Sequence, residues 1–126
     1  MPKSKKSLEN NAMAAGPARG QRQLKGRLWL EKNGETFVSW GRVVLLQRID
    51  ETGSVSAAAK SMGMSFSHAW QLVESMNALA GEPLVDKQAG GKGGGGAWLT
   101  AEGKRVVADF WALVADFQKW IEKKKI

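Results

Sequence analysis

Cysteine is absent from this 126-residue chain, and histidine occurs only once. Without cysteine, the chain can form neither disulfide bonds nor thiolate metal sites. The one histidine, His68, has no second histidine or cysteine to act with, and no carboxylate pair stands in an apolar setting that would alter its ionisation. We therefore expect no catalytic residue, no metal site and no cofactor, and we predict that the chain is not an enzyme.

Long apolar runs are also absent. No segment approaches the ~20 apolar residues that a membrane-spanning helix needs, and no apolar stretch follows the basic N-terminus as in a secretory signal. Apolar residues still make up 43% of the chain, which is ordinary for a globular domain. We expect a cytoplasmic protein with one packed core and no membrane partner.

Positive charge is unevenly distributed along the chain, whose net charge is +7. Residues 1–27 have seven basic and one acidic side chain, a net charge of +6, whereas residues 28–126 have 12 basic and 11 acidic side chains, a net charge of +1. Residues 1–23 also lack apolar periodicity, which predicts a disordered basic tail. Such a tail either adds salt-sensitive affinity for phosphates or is a solvated leader with little function.

Apolar periodicity and turn residues predict the order of the secondary-structure elements. Asn33-Gly34 predicts a β-hairpin between strands near residues 28–31 and 36–38. Helices are predicted at 40–51, 55–62, 66–79 and 101–124, and strands at 83–87 and 97–99 flank a glycine loop at 89–96.

Three helices followed by a small hairpin is the order of a winged helix. We predict a mainly α (α+β) fold, a winged helix-turn-helix with an N-terminal β-hairpin and a long C-terminal dimerisation helix. The expected domains are the tail (1–23), the DNA-binding domain (24–100) and the dimerisation helix (101–126).

Residues 55–73 meet the requirements of a helix-turn-helix motif. Ala59 is small where the two helices approach, Gly63 can adopt the positive φ of the turn, and Met64 can fill the gap between the helices. The third helix then has one apolar face, formed by Ala69, Leu72, Val73 and Met76. A helical bundle that buries this segment as core is the alternative, and the hairpin that follows favours the DNA-binding motif.

The opposite face of the third helix, at about 65–79, would enter the major groove of double-stranded DNA. Gln71 can pair with adenine, and Phe66 and Trp70 can contact thymine methyl groups or the sugar–phosphate wall. Because this face has no Lys or Arg, phosphate binding falls to the wing lysines and the tail. The predicted DNA-binding residues are Ser54, Ser65, Phe66, Ser67, His68, Trp70, Gln71, Lys87 and Lys92.

The glycine loop at 89–96 formally contains the pattern G-x-G-x-x-G. No strand–loop–helix unit surrounds it and no Gly-Lys-Ser/Thr ends it, so neither dinucleotide nor P-loop chemistry follows. It is either a plain hairpin tip or a wing whose bare backbone approaches phosphates while Lys92 supplies charge. Because ordering each residue costs ~1–2 kcal/mol, we expect disorder in the free protein and order on DNA.

Two apolar stripes run along the last predicted helix. The first has the 4-3-4-3 spacing of a heptad seam and consists of Val106, Phe110, Leu113, Phe117 and Trp120. The second lies beside it and consists of Val107, Trp111, Val114 and Ile121. One stripe can cover the domain's own core, and the other is then surplus in a monomer. We predict that the first stripe forms a two-fold homodimer interface. The alternative is one broad face buried within a single chain.

Two segments of the chain resemble a known family. They are GRVVLLQRIDETGSVSAAAKSMGMSFSHAW, at 41–70, and MNALAGEPLVDKQAGGKGGGGAWLTAEG, at 76–103. Both closely resemble the N-terminal DNA-binding domain of the molybdate-dependent transcriptional regulators, the ModE family, and LysR-type regulators share that architecture more distantly. The resemblance spans about 24–121. It implies a winged-helix dimer joined through the long terminal helix, with the third helix in the major groove.

The resemblance implies a function, although this sequence also departs from the family in two respects. Full-length members have C-terminal molybdate-binding domains, and we expect this chain to be a shorter, stand-alone form with no small-molecule effector. A basic residue is common in the family after the position of Phe66, where this chain has Ser67 and His68, so the operator sequence does not carry over. We predict a sequence-specific transcriptional regulator of molybdate or metal-transport genes. The alternative is a winged-helix protein–protein adaptor without direct DNA binding.

Overall fold

The structure, a computed structural model, describes residues 21–91 and 94–126, apart from the side chains of residues 89–95. Its elements in chain order are β1 (Leu30–Lys32), β2 (Glu35–Val38), α1 (Trp40–Thr52), α2 (Val55–Ser61), α3 (Phe66–Ala80), β3 (Val85–Gly91), β4 (Gly94–Leu99) and α4 (Ala101–Glu122). The predicted fold class, a mainly α winged helix-turn-helix, is confirmed. None of the helices in this described part has the length and hydrophobicity to cross a membrane.

The chain divides into two compact units. One consists of residues 27–116 and therefore includes the first part of α4. The described part of the other consists of residues 21–26 and 117–126. The predicted disordered tail, residues 1–23, lies outside the described residues as far as residue 20.

The β1–β2 hairpin turns at Asn33 and Gly34, as predicted. Their φ angles are +55° and +78°, which are the left-handed values that a two-residue type I′ turn requires. Leu30 pairs with Val38, the last residue of β2, and the chain then enters α1. A strand residue before Leu30 has no partner in this register, so β1 begins two residues later than the predicted start at Leu28.

Helices α1, α2 and α3 enclose the core of the unit formed by residues 27–116. α1 buries one face and ends at Gly53, where φ is +74° and the backbone N–H donates to the Ile49 carbonyl at 2.8 Å. α3 buries Ala69, Val73 and Met76 of the predicted inner face, and Leu72, its fourth residue, is half-buried against the same core. The fully buried residues of α1 are Val43, Leu45, Leu46 and Ile49. Burial of apolar side chains at ~25 cal/mol per Å² is the main stabilising contribution of this assembly.

Arg42 connects three of the elements around this core. Its Nη1 donates to the carbonyl oxygens of Thr36 at 3.0 Å and Phe37 at 3.4 Å, and to the Ser75 hydroxyl at 3.3 Å. Partial burial lowers the pKa of the Arg42 guanidinium from its ordinary value. Arg42 therefore has a structural role between β2 and α3.

The β3–β4 hairpin extends further into the glycine segment than predicted. Gln88 pairs with Gly96, and after an irregularity Gly91 pairs with Gly94. The prediction of a loop at 89–96 is therefore wrong for Gly91, Gly94 and Gly96, which are paired in the hairpin. The hydrogen bonds between paired strands join backbone groups only, so glycine residues can pair although they have no side chain. Lys92, the predicted charge at the wing tip, lies outside the described residues.

The start of α4 is held against the start of the hairpin. Thr100 caps the helix, because its Oγ1 accepts from the N–H of Gly103 at 3.0 Å, and it also donates to the Pro83 carbonyl at 2.7 Å. The N–H of Thr100 donates to the Leu84 carbonyl at 2.9 Å. Gly103 lies directly over that carbonyl, and a Cβ at this position would collide with the Leu84 backbone. The close approach therefore requires glycine at position 103.

In the second unit, residues 21–26 lie against the end of α4. A Cβ added to Gly26 would stand 2.9 Å from Cζ of Phe117 and 3.8 Å from Cδ1 of Ile121. Ile121 is only 8% exposed. The N-terminal segment thus covers part of the last two turns of α4. That helix ends at Glu122, two residues before the predicted end at Lys124.

Replacement of Gly103 tests the close approach between α4 and the hairpin. We expect Gly103→Ala to lower the free energy of unfolding by about 1–3 kcal/mol, because the backbone must shift to admit the methyl group. Thermal unfolding followed by circular dichroism should show a melting temperature lower by at least ~4 °C.

Gly41→Ala is the matched control for this substitution. A Cβ at position 41 would meet nothing within 4 Å, and alanine is the better helix former. The control should melt at the same temperature as the unchanged protein or higher. Equal melting temperatures for Gly103→Ala and the unchanged protein would contradict the packing described above.

Candidate nucleic-acid interface

The turn between α2 and α3 has the geometry that the sequence predicts. Ala59 is 1% exposed at the contact between the helices. Its carbonyl accepts from the N–H groups of both Met62 and Met64 at 3.0 Å. Gly63 has φ of +69°, so the chain reverses through a left-handed residue. Met64 is half-buried and packs against the core, as expected for the residue that fills the gap.

Two serines fix the N-termini of the motif's helices. Ser54 caps α2, and its side chain accepts from the N–H of Ala57 at 3.0 Å. Ser65 caps α3 in the same way, accepting from the N–H of His68 at 3.0 Å. Both were predicted DNA contacts. The structure gives each an intramolecular capping role, which leaves the hydroxyl hydrogen free to be donated.

The N-terminal half of α3 presents a polar face to solvent. Ser67, His68 and Gln71 are exposed, on the side opposite the buried Ala69 and Val73. Phe66, the first residue of the helix, is 53% exposed. Ser67, His68 and Gln71 therefore lie together on one accessible surface at the start of α3, and Phe66 lies at its flank.

Trp70 departs from the predicted arrangement. It was expected on the outward face, but it is half-buried and packs against the core. Its ring stacks parallel to that of Phe66, with the centroids 6.5 Å apart and the planes 1° from parallel. The Nζ of Lys87, on β3, lies 4.3 Å from the Trp70 ring centroid. The structure thus brings three predicted site residues from two elements into one cluster.

Hydrogen bonds to the start of β3 and to the end of β4 hold the base of the hairpin beside the motif. The Asn77 side chain of α3 accepts from the N–H of Leu84 at 2.8 Å and of Val85 at 3.3 Å. The Asp50 carboxylate, near the end of α1, accepts from the N–H of Leu99 at 3.0 Å. β3 is therefore attached to α3, and β4 to α1.

The basic residues near the exposed face of α3 belong to other elements, because α3 itself contains no Lys or Arg. Lys87 is exposed on β3, and Lys60 is exposed on α2. Arg48 is engaged with Ser61, donating to its carbonyl at 3.0 Å and its hydroxyl at 3.1 Å. Lys60 was not among the predicted contacts, although its position inside the motif was visible in the sequence. The pairing of Lys87 with Trp70 had no sequence signal, because it depends on the hairpin's approach to α3.

The predicted dimer stripe on α4 is only partly at the surface. Phe110 is 0% exposed in the core of its own unit, so its assignment to a dimer interface is wrong. Leu113 is 42% exposed and Trp120 is 53% exposed, whereas Val106 and Phe117 are half-buried. Phe117 and Trp120 stack with their centroids 6.2 Å apart, and Lys124 lies 4.5 Å above the Trp120 ring.

Metal-binding geometry is not found in residues 21–91 and 94–126, where no three His, Cys, Asp or Glu side chains group closely enough to hold an ion.

Comparisons with known proteins identify the same region. The profile of the bacterial regulatory helix-turn-helix proteins of the lysR family matches residues 40–104, which run from the start of α1 through the hairpin into α4. The chain is 40% identical over 97 residues to the molybdenum transport protein ModE of Azotobacter vinelandii, covering 77% of this chain and 36% of that protein.

Two further relatives are similar over much of the same length. The DNA-binding transcriptional dual regulator ModE of Escherichia coli K12 is 39% identical over 92 residues, 73% of this chain and 35% of the relative. The molybdenum-pterin-binding protein MopB of Rhodobacter capsulatus is 46% identical over 78 residues, 62% of this chain and 29% of the relative. This chain thus spans about a third of the length of these relatives.

The predicted resemblance to ModE regulators is confirmed by these matches. Since the family profile also spans both helices of the motif and the hairpin, the chain belongs to the lysR family of bacterial regulatory helix-turn-helix proteins.

Proposed function

We propose that this chain is a sequence-specific transcriptional regulator that binds double-stranded DNA through the exposed face of α3 and the β3–β4 hairpin. One observation supports this proposal most strongly. α3 buries one side completely and presents Ser67, His68 and Gln71 at its N-terminal end, where helix-turn-helix proteins contact base edges.

The proposal divides the contacts into two groups. Gln71 has both an amide donor and a carbonyl acceptor, which suits bidentate pairing with adenine. Ser67 and His68, nearer the helix start, meet base edges or the phosphates beside them. Lys87 on β3 and Lys60 on α2 contact phosphates, since α3 has no cation of its own.

The relatives suggest what the regulator controls. One relative is named a molybdenum transport protein, and another a DNA-binding transcriptional dual regulator. We therefore propose genes of molybdate or metal transport as targets, and the cytoplasm, where genomic DNA lies, as the location. A binding protein rather than an enzyme is supported by the same relatives. The protein–protein adaptor has no support among them.

We also propose that two copies associate through α4. The exposed side chains of Leu113 and Trp120 support this, because covering their apolar surface removes it from water and stabilises the association. A two-fold dimer would present two α3 helices to successive turns of the major groove. Phe110, buried in its own core, takes no part in the proposed contact.

Gln71→Ala tests base reading by α3. After selection of bound genomic fragments has identified an operator, we expect this variant to lose about 1–3 kcal/mol of discrimination against mutated operators, because the bidentate contact is removed. Its affinity for unrelated DNA should be unchanged. Gel-shift titrations at fixed salt, with specific and scrambled fragments, measure both quantities.

Gln118→Ala serves as the control, since it removes another exposed glutamine, on α4. It should leave discrimination unchanged. No shift of any fragment by the unchanged protein at ~50 mM salt would exclude the proposed function and favour an adaptor. Unaltered discrimination by Gln71→Ala would exclude Gln71 as a base contact.

Leu113→Asp tests the proposed dimer. A carboxylate at the centre of an apolar contact must be desolvated or displaced, so we expect the dimer dissociation constant to rise at least ~100-fold. Analytical ultracentrifugation over a concentration series measures it. Ala115→Asp, at another exposed position of α4, should leave the constant unchanged. Sedimentation of the unchanged protein as a monomer at micromolar concentration would exclude the dimer.

A further inference from the structure

We propose that Trp70 is a positioning residue whose indole ring holds the ammonium group of Lys87 at the DNA-facing side of α3. The hairpin thereby supplies the positive charge that the reading helix lacks. This inference rests on the proposed function and assigns Trp70 a role different from the base contact that the sequence predicts.

The geometry of the contact supports this role. Nζ of Lys87 lies 4.3 Å from the centroid of the Trp70 ring, well inside the ~6 Å range of cation–π attraction. Tryptophan has the most favourable ring for this interaction. Phe66 stacks parallel to the same ring on α3, at 6.5 Å between centroids. The two rings form an aromatic platform at the N-terminal end of α3, and the lysine is held at its edge.

The burial of the two partners is unequal, and this indicates which of them is fixed. Trp70 is half-buried and packs against the core, whereas Lys87 is exposed. The backbone of Lys87 is fixed by its pairing with Ala97 in the hairpin. Its flexible four-carbon stem would otherwise sample many rotamers. The ring therefore favours one position of the ammonium group, beside α3.

The charge distribution explains why this placement affects DNA binding. α3 contains no Lys or Arg, and its exposed Glu74 adds negative charge one turn after Trp70. Within the described part of the chain, Lys87 makes no ion pair with a carboxylate. An ammonium group has three donors and the ring occupies one side of it, so donors remain for a phosphate oxygen. A held Lys87 would thus contact DNA with little further ordering.

A double-mutant cycle on the salt dependence of binding tests the proposal. The slope of log affinity against log salt is negative, and Lys87→Gln should reduce its magnitude by about 0.9 for each bound protomer, through the loss of one phosphate contact. Trp70→Leu should also reduce the magnitude of the slope. In the Lys87→Gln background, Trp70→Leu should cause no further change, because the cation it positions is already absent. Trp70→Phe retains an aromatic ring and should restore the slope.

Trp98→Leu is the matched control. Trp98 is an exposed tryptophan of β4, paired with Asp86, and none of the cations in the described residues lies over its ring. Its removal should leave the slope unchanged. The positioning role is excluded if Trp70→Leu leaves the slope unchanged. It is also excluded if Trp70→Leu reduces the magnitude of the slope equally in the unchanged protein and in the Lys87→Gln background. Thermal melts of each variant show whether a weaker salt dependence reflects unfolding instead. If Trp70→Leu unfolds, the slope measured for Trp70→Phe decides whether the positioning role holds.

Nuclear magnetic resonance of the free protein separates this inference from the proposed function. A ring above the lysine should shift the ε-methylene protons of Lys87 upfield. The shift should vanish in Trp70→Leu and persist in Trp98→Leu. Random-coil positions in the unchanged protein would exclude the contact, even if DNA binding is found. An upfield shift in a protein that binds no DNA would show that the proposed function, rather than the contact, has failed.

Discussion

The carboxamide of Asn77 joins the helix that presents the exposed polar face to the hairpin beside it. Its oxygen accepts from two consecutive N–H groups, of Leu84 at 2.8 Å and Val85 at 3.3 Å, and its nitrogen donates to the Val85 carbonyl at 3.5 Å. Leu84 and Val85 are themselves buried. Their backbone groups therefore need partners inside the protein, and an unsatisfied buried group costs about 1–3 kcal/mol. An amide offers both an acceptor and a donor at one site, so the distance between α3 and the start of β3 is fixed.

The other strand of the hairpin is fixed by a comparable arrangement at the end of α1. The Gly53 carbonyl accepts from the N–H of Ala97 at 2.9 Å, and the Asp50 carboxylate accepts from the N–H of Leu99. A two-stranded hairpin is marginally stable in isolation. Here its base is anchored to two helices. Lys87 lies two residues after Val85 in β3, within the anchored part of the hairpin. This is why the lysine meets α3 at a defined position.

Features that depend on local sequence were predictable, and features that depend on the angle between elements were not. The turn at Asn33-Gly34, the left-handed Gly63 and the cap at Ser65 all follow from residue types that favour one local conformation. The inner face of α3 follows from its 3.6-residue period.

Phe110 and Trp70 illustrate the part that sequence pattern did not decide. The heptad spacing identifies two stripes on α4 but does not say which of them meets the core, and the core in fact reaches Phe110 from the first stripe while Leu113 remains at the surface. Trp70 was predicted on the outer face, yet its ring packs against the core and the Lys87 ammonium of β3 lies over it. Both outcomes are set by how neighbouring elements pack, which a periodic pattern along one helix does not contain.

The separation of charge from the reading face has a consequence for how such a protein would discriminate among DNA sequences. Non-specific affinity for DNA comes almost entirely from neutralising phosphates. Residues 28–126 have a net charge of only +1, and α3 contributes none of the basic side chains. On the proposed function, residues 28–126 would therefore bind arbitrary sequences weakly. A cation would contribute most to discrimination among DNA sequences where it is held against the helix that reads bases. At that position it adds affinity only when α3 lies in the groove. A lysine fixed by an aromatic ring at the start of α3 meets this condition.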